Sequence, residues 1–128
     1  MDKENYEKSK IKHFTDLIVY KKAHEMVLFT YKLTKAFPQE ERYALVDQMR
    51  RSAVSVTSNI AEGFGRSTGK DKKQFYAISQ GSVYELESQF LISKDLGYIS
   101  PSELINFQAM SSEVIRILSG IMKSAFSR

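Results

Sequence analysis

The sequence predicts an all-α protein, an antiparallel up-down-up-down four-helix bundle, and three observations carry that expectation. Apolar residues recur every three or four positions through four long segments, the spacing that gathers them on one face of a helix. The segments are separated by stop and start residues: Phe37-Pro38, the glycines from Gly63 to Gly69, and Gly97 to Pro101. They are also of similar length, ~30 to 40 Å each at 1.5 Å per residue, and short connections between them favour antiparallel neighbours. A chain of 128 residues suits one such domain, with room for a core that needs no covalent staples.

Residues 1–14 read as a flexible basic N-terminal arm, with Tyr6, Ile11 and Phe14 as its docking points on a bundle spanning 15–128. Thr15 is the expected cap of the first helix and Asp16 suits the positive end of its dipole, with Ala36 near the end. Leu17, Tyr20, Ala23, Val27, Leu28 and Tyr31 form one apolar face of this helix. Ile18, Met26, Phe29 and Leu33 project roughly opposite at ~100° per residue, which predicts a subunit interface.

The second helix is expected to begin near Gln39 to Glu41 and to end at Glu62, stopped by Gly63 and Gly65. Leu45, Met49, Ala53, Val56 and Ile60 make its core stripe, while the Ser, Thr and Val residues of SAVSVTSN are weak helix formers that packing must hold. Their small side chains let a neighbouring helix approach closely. Thr68 caps the third helix with Asp71 as its acidic third residue, and Gly97 stops it. Phe75, Ser79, Ser82, Leu86 and Phe90 face inward. Ser100, Pro101 and Glu103 open the fourth helix, whose core face carries Leu104, Phe107, Val114, Leu118 and Ile121.

Composition narrows the function classes. With no cysteine the chain has no disulfide framework, thiol nucleophile or thiolate metal site, a usage that suits the cytoplasm. No signal-peptide pattern opens the sequence, and no apolar run approaches the ~20 residues that a bilayer requires, so no membrane association is expected. Nineteen Lys and Arg against 15 Asp and Glu permit nucleic-acid binding without demanding it, so the placement of the charges decides.

No catalytic centre is legible. GFGRSTGKD resembles a phosphate-binding loop only superficially: Phe64 stands where the first glycine belongs, Asp71 replaces the magnesium-binding hydroxyl, and the segment follows a helix. His13 and His24 lack partners at metal-ligand spacing, and the serines lack an activating base. No metal and no cofactor are expected.

Two polar constellations remain. Arg51, Ser55, Asn59 and Glu62 share a face of the second helix, and a hairpin turning near residue 68 brings Ser55 beside Ser82, Arg51 beside Glu85 and Glu62 beside Lys73. This set reads as a structural hydrogen-bonded network or a subunit interface, against the plainer reading of a solvated stripe. Arg66, Lys70, Lys72 and Lys73 cluster where cations oppose the dipole of the third helix. Either solubility or phosphate contact accounts for them, with Lys21, Lys22 and Lys32 of the first helix as candidate additions to the patch.

The segments DLIVYKKAHEM, FPQEERYALVDQMRRSAVSVTSNIAEGFGRS and GSVYELESQFLISKDLGYI resemble the four-helix-bundle family associated with intervening sequences in bacterial 23S ribosomal RNA genes. The likeness spans roughly Phe14 to Ile121, and Arg51, Asn59, Glu62, Gly63, Ser82 and Glu85 match positions of the family pattern. The chain is also similar to the accessory variability proteins of diversity-generating retroelements. The resemblance implies a small bacterial, non-enzymatic bundle assembled as a homopentamer with a positive surface, and does not imply a retroelement function. VSVTSN stands where relatives often carry a proline, implying a straighter second helix. The leading expectation is a bundle that binds nucleic acid, structured RNA above all, with little sequence readout. The alternative is a homo-oligomeric scaffold for a protein partner.

Overall fold

A computed structural model describes residues 10–126, and among them it contains four long α-helices: α1 (Ile18–Thr34), α2 (Leu45–Phe64), α3 (Gly69–Asp95) and α4 (Pro101–Phe126). Tyr6 and most of the predicted basic arm lie outside the described residues, as do residues 127–128. Pairings between helices fix their directions. Lys72 of α3 meets the C-terminal carbonyls of α2, Ser82 meets Ser55, and Ser93 meets Met49, so residue numbers fall along α2 as they rise along α3. Gln80 reaches Ser119 and Phe90 stacks on Phe107, which sets α4 antiparallel to α3. Ile18 shares a surface depression with Ile117 and Ile121 and Lys22 pairs with Glu113, so α1 runs against α4.

The centre is filled by Met26, Met49, Ile60, Leu86, Phe90, Phe107 and Leu118, all fully buried. Phe90 stacks against Phe107 with ring centroids 4.0 Å apart, and Phe29 lies 6.2 Å from Phe90 on the other side, so three helices share one aromatic column. Burying a side chain of this size stabilises the fold by about 1.5–3 kcal/mol. The α2–α3 seam is built differently, from small residues. Ser79 donates to the Val56 carbonyl at 2.8 Å, Ser55 and Ser82 share a hydrogen bond of 2.8 Å, and Gly63 presses against Tyr76. A Cβ at Gly63 would stand 2.6 Å from Tyr76 Cε1.

Several boundaries differ from the sequence reading, each for a local reason. Phe14–Asp16 forms a 3-10 turn capped by His13, and Asp16 accepts from the Lys12 and His13 N–H groups at 3.0 Å each. Thr15 therefore sits inside this turn, and α1 opens after Leu17 without a side-chain cap. The backbone N–H groups of Lys12 and His13, donating to the Asp16 carboxylate, hold that carboxyl below its usual range. The acidic run Gln39–Glu41 likewise forms a separate 3-10 turn, delaying α2 to Leu45. At its other end α2 continues through Gly63, which serves packing, and Gly65 is the cap.

The expected second apolar face of α1 is mostly core. Met26 is fully buried, while Phe29 and Leu33 pack against the core, and Leu28, expected on the inner face, is 56% exposed. The buried face is turned away from Leu28 because it includes Thr30 and Thr34, whose hydroxyls are satisfied by the carbonyls of Met26 and Thr30. Exposed apolar side chains are concentrated on α3 instead, at Ile78, Tyr84, Leu91 and Ile92, with Leu96 just beyond it. The remaining punctuation agrees with expectation. Thr68 accepts from the Asp71 N–H, Gly97 adopts φ +80°, and Ser100 and Glu103 each accept from the other's backbone N–H.

Candidate nucleic-acid interface

The antiparallel order places the α2–α3 turn, the start of α1 and the end of α4 at the same end of the bundle. Arg66, Lys70, Lys72 and Lys73 surround that turn and Lys21 lies one turn into α1 at the same end. The opposite end mixes Lys35, Arg42 and Lys94 with Glu40, Glu41, Asp95 and Glu103. With Asp16, Glu62 and Asp71 counted at the turn end, cations still outnumber acids there and do not at the other, so the charge is polarised along the bundle axis, an arrangement that net charge alone does not reveal.

The cations of the turn are not equivalent. Lys72 is half-buried and donates to the carbonyls of Phe64 at 2.6 Å and Gly63 at 3.3 Å, capping the C-terminus of α2. Its charge opposes the dipole of its own helix but complements that of its neighbour, which corrects the expectation that helix stability offers no reason for it. Arg66 pairs with Glu62 at 3.0 Å and places its guanidinium over the Phe75 ring, 4.4 Å from the centroid. Lys70 is exposed on the first turn of α3, and Lys73 is half-buried.

The first-helix cations do not join this cluster as a single surface. Lys21 borders an apolar depression formed by Ile11, Leu17, Ile18, Ile117 and Ile121. Lys22 is engaged with Glu113 at 3.1 Å, and Lys32 is exposed near the far end of α1. At ~100° per residue Lys21 and Lys32 share an edge of α1 but stand about 16 Å apart along it, and Lys22 is turned ~80–100° away from both.

The polar set of α2 divides in the same way. Ser55, Ser82 and Asn59 form a connected group, with Asn59 donating to the Ser55 carbonyl at 2.8 Å and to its hydroxyl at 3.1 Å. Arg51 instead pairs with Asp47 at 3.2 Å, and Glu62 with Arg66 at 3.0 Å, each finding its partner one turn away on α2 or just beyond its end. Glu85 is exposed on α3. Beside Glu62 and Arg66 lies an open depression of about 640 Å³, also lined by Ser58, Ala61 and Gly65. The spacing of these five residues on one helix face is readable from the sequence. The Arg66–Phe75 contact across the turn is not, since it depends on how the two helices meet.

No group of three or more His, Asp or Glu side chains suited to a metal occurs among the described residues, and none of their helices is long and apolar enough to cross a membrane. The family model of the 23S rRNA-intervening sequence proteins matches residues 15–120, and the chain belongs to that family. A crystal structure of a protein of unknown function from the S23 ribosomal protein family of Bacteroides thetaiotaomicron has the same fold. It superposes with a TM-score of 0.76 at 22% identity, covering 83% of this chain and 99% of that one. No curated protein matches the chain.

Proposed function

We propose that this protein is a non-enzymatic, cytoplasmic bundle that binds nucleic acid, structured RNA above all, through phosphate contacts at its basic end. The observation that carries this reading is the gathering of Arg66, Lys70, Lys72 and Lys73 at one end of a bundle whose other end is of mixed charge. Capping accounts for Lys72, but Lys70 has no such structural task in its exposed position. Phosphate contacts give affinity without sequence readout and make binding strongly salt-dependent.

Exposed Ile78, Tyr84, Leu91 and Ile92 on α3 support self-association through that helix, and the family resemblance favours a pentamer. An oligomer would repeat the basic end and multiply weak contacts. The same apolar face supports the second reading, a scaffold for a protein partner with no direct role for nucleic acid.

Lys70→Glu/Lys73→Glu leaves the Lys72 cap in place and is the informative variant. Its affinity for unrelated RNA sequences should fall by similar factors, and removal of each phosphate interaction should reduce the log–log salt slope by ~0.9 on duplex DNA and ~0.7 on single strands. Wild-type protein that binds no nucleic acid at low salt would move the scaffold reading ahead. Light scattering after size exclusion tests the assembly, and a 14.7 kDa species at micromolar concentration counts against it.

A further inference from the structure

We propose that the depression on the outer face of α2, lined by Ser58, Ala61, Glu62, Gly65 and Arg66, receives one unpaired nucleobase bearing an exocyclic amino group. This rests on the nucleic-acid reading and deepens it, because it assigns a base-binding site beside the phosphate-binding residues.

Three features point to a base. Arg66 is held on two sides, by Glu62 at 3.0 Å and by the Phe75 ring at 4.4 Å, yet its side chain remains 45% exposed. The guanidinium carbon stands 4.4 Å from the Phe75 centroid and the exposed part of the group is available to a second planar partner, as arginine stacks on unpaired bases. Gly65 supplies the second feature. A Cβ there would make only ordinary contacts, 3.6 Å from the Glu62 carbonyl oxygen and 3.8 Å from that of Ala61, and Gly65 is in right-handed helical conformation with φ −77°. Neither packing nor backbone conformation requires glycine at this position, in contrast to Gly63, so the missing side chain serves to keep the depression open. The third is the polar rim. Glu62 Oε2 is engaged by Arg66, while its other carboxylate oxygen and the Ser58 hydroxyl lie on an exposed edge. A carboxylate only accepts hydrogen bonds; cytosine, adenine and guanine offer it an exocyclic amino group, whereas the N3–H of uracil is flanked by two carbonyl oxygens that repel the carboxylate. Lys70, exposed on the first turn of the next helix, would take the flanking phosphate.

Gly65→Leu fills the depression without removing a charge. Binding is measured by fluorescence anisotropy with single-stranded oligo(C), oligo(U) and an RNA duplex of equal phosphate number. Wild-type protein should prefer oligo(C) to oligo(U), and Gly65→Leu should weaken oligo(C) binding about tenfold, the scale of a single base stack, while duplex affinity changes less than about twofold. Arg66→Lys, which keeps the charge but not the plane, should also lose the oligo(C) preference. A folded Gly65→Leu protein, or Arg66→Lys if the first variant does not fold, with wild-type oligo(C) affinity and preference overturns the base site alone. Wild-type protein that binds the duplex but does not distinguish oligo(C) from oligo(U) also overturns the base site and leaves the phosphate reading standing. Wild-type protein that binds none of the three probes overturns both.

Discussion

The two ends of the bundle use polar residues differently. At the end formed by the α1–α2 and α3–α4 connections, the groups close on one another: Ser100 and Glu103 make a reciprocal cap, the Tyr98 hydroxyl donates to Glu41 at 2.9 Å, and Arg50 bonds Thr34 at 3.0 Å while lying over Tyr31. At the α2–α3 turn only some groups are committed, such as the Lys72 cap and the Thr68 cap, and Lys70 is exposed on the first turn of α3. The first end keeps a smaller depression of about 360 Å³ beside Lys35, Arg42 and Arg50, but its charge is mixed. The α2–α3 turn combines an excess of cations with the larger depression, which is why function is proposed there.

The largest effect expected from a single change lies just inside the open end. Gly63→Ala should destabilise the protein by about 1–3 kcal/mol, the range for overpacking a close-packed interior, because its Cβ meets the buried Tyr76 ring. Gly65→Ala, two residues away, should be neutral or stabilising by up to ~1 kcal/mol, since it restricts the unfolded chain without strain. Urea unfolding of the pair checks both. Equal destabilisation would show that Gly65 also serves packing and would blur the line between turn and site.

At the closed end, Ser100→Ala should cost about 1 kcal/mol, typical of removing a side-chain cap, with no effect on nucleic-acid affinity. Lys72→Met should cost about 0.3–1 kcal/mol by uncapping α2. Thermal unfolding reads both changes. A Lys72→Met protein as stable as wild type would return that lysine to the free surface charges.

The smallest effect is a pH dependence near the start of α1. The Asp16 carboxyl is held below its ordinary pKa by backbone N–H groups, so its contribution to stability is present above the unfolded pKa and is lost as pH falls through the folded one. Asp16→Asn should therefore be less stable than wild type at neutral pH, with the gap narrowing on acidification. A gap that widens with acid would reverse the assignment.

Much of the fold is legible in the sequence because the signals are local. Thr68, Gly97 and the Ser100–Glu103 pair act within a few residues of themselves, and the stripe of Met49, Ala53, Val56 and Ile60 is set by helical periodicity. What cannot be read there depends on packing and on partners distant in sequence. Buried Thr30 and Thr34 look polar until their hydroxyls are seen to bond their own helix, and Lys72 looks misplaced until the end of α2 is beside it. The site follows the same rule. Periodicity places Ser58, Glu62 and Arg66 near one another, but only the meeting of α2 with α3 sets Phe75 beneath Arg66.

The asymmetry between the ends is tested most directly by backbone amide NMR during titration with single-stranded RNA. Chemical-shift changes should concentrate at residues 58–73 and leave 37–42 and 95–103 nearly unmoved. Changes centred on the opposite end, or spread evenly over the bundle, would contradict the assignment of nucleic-acid contact to the α2–α3 turn.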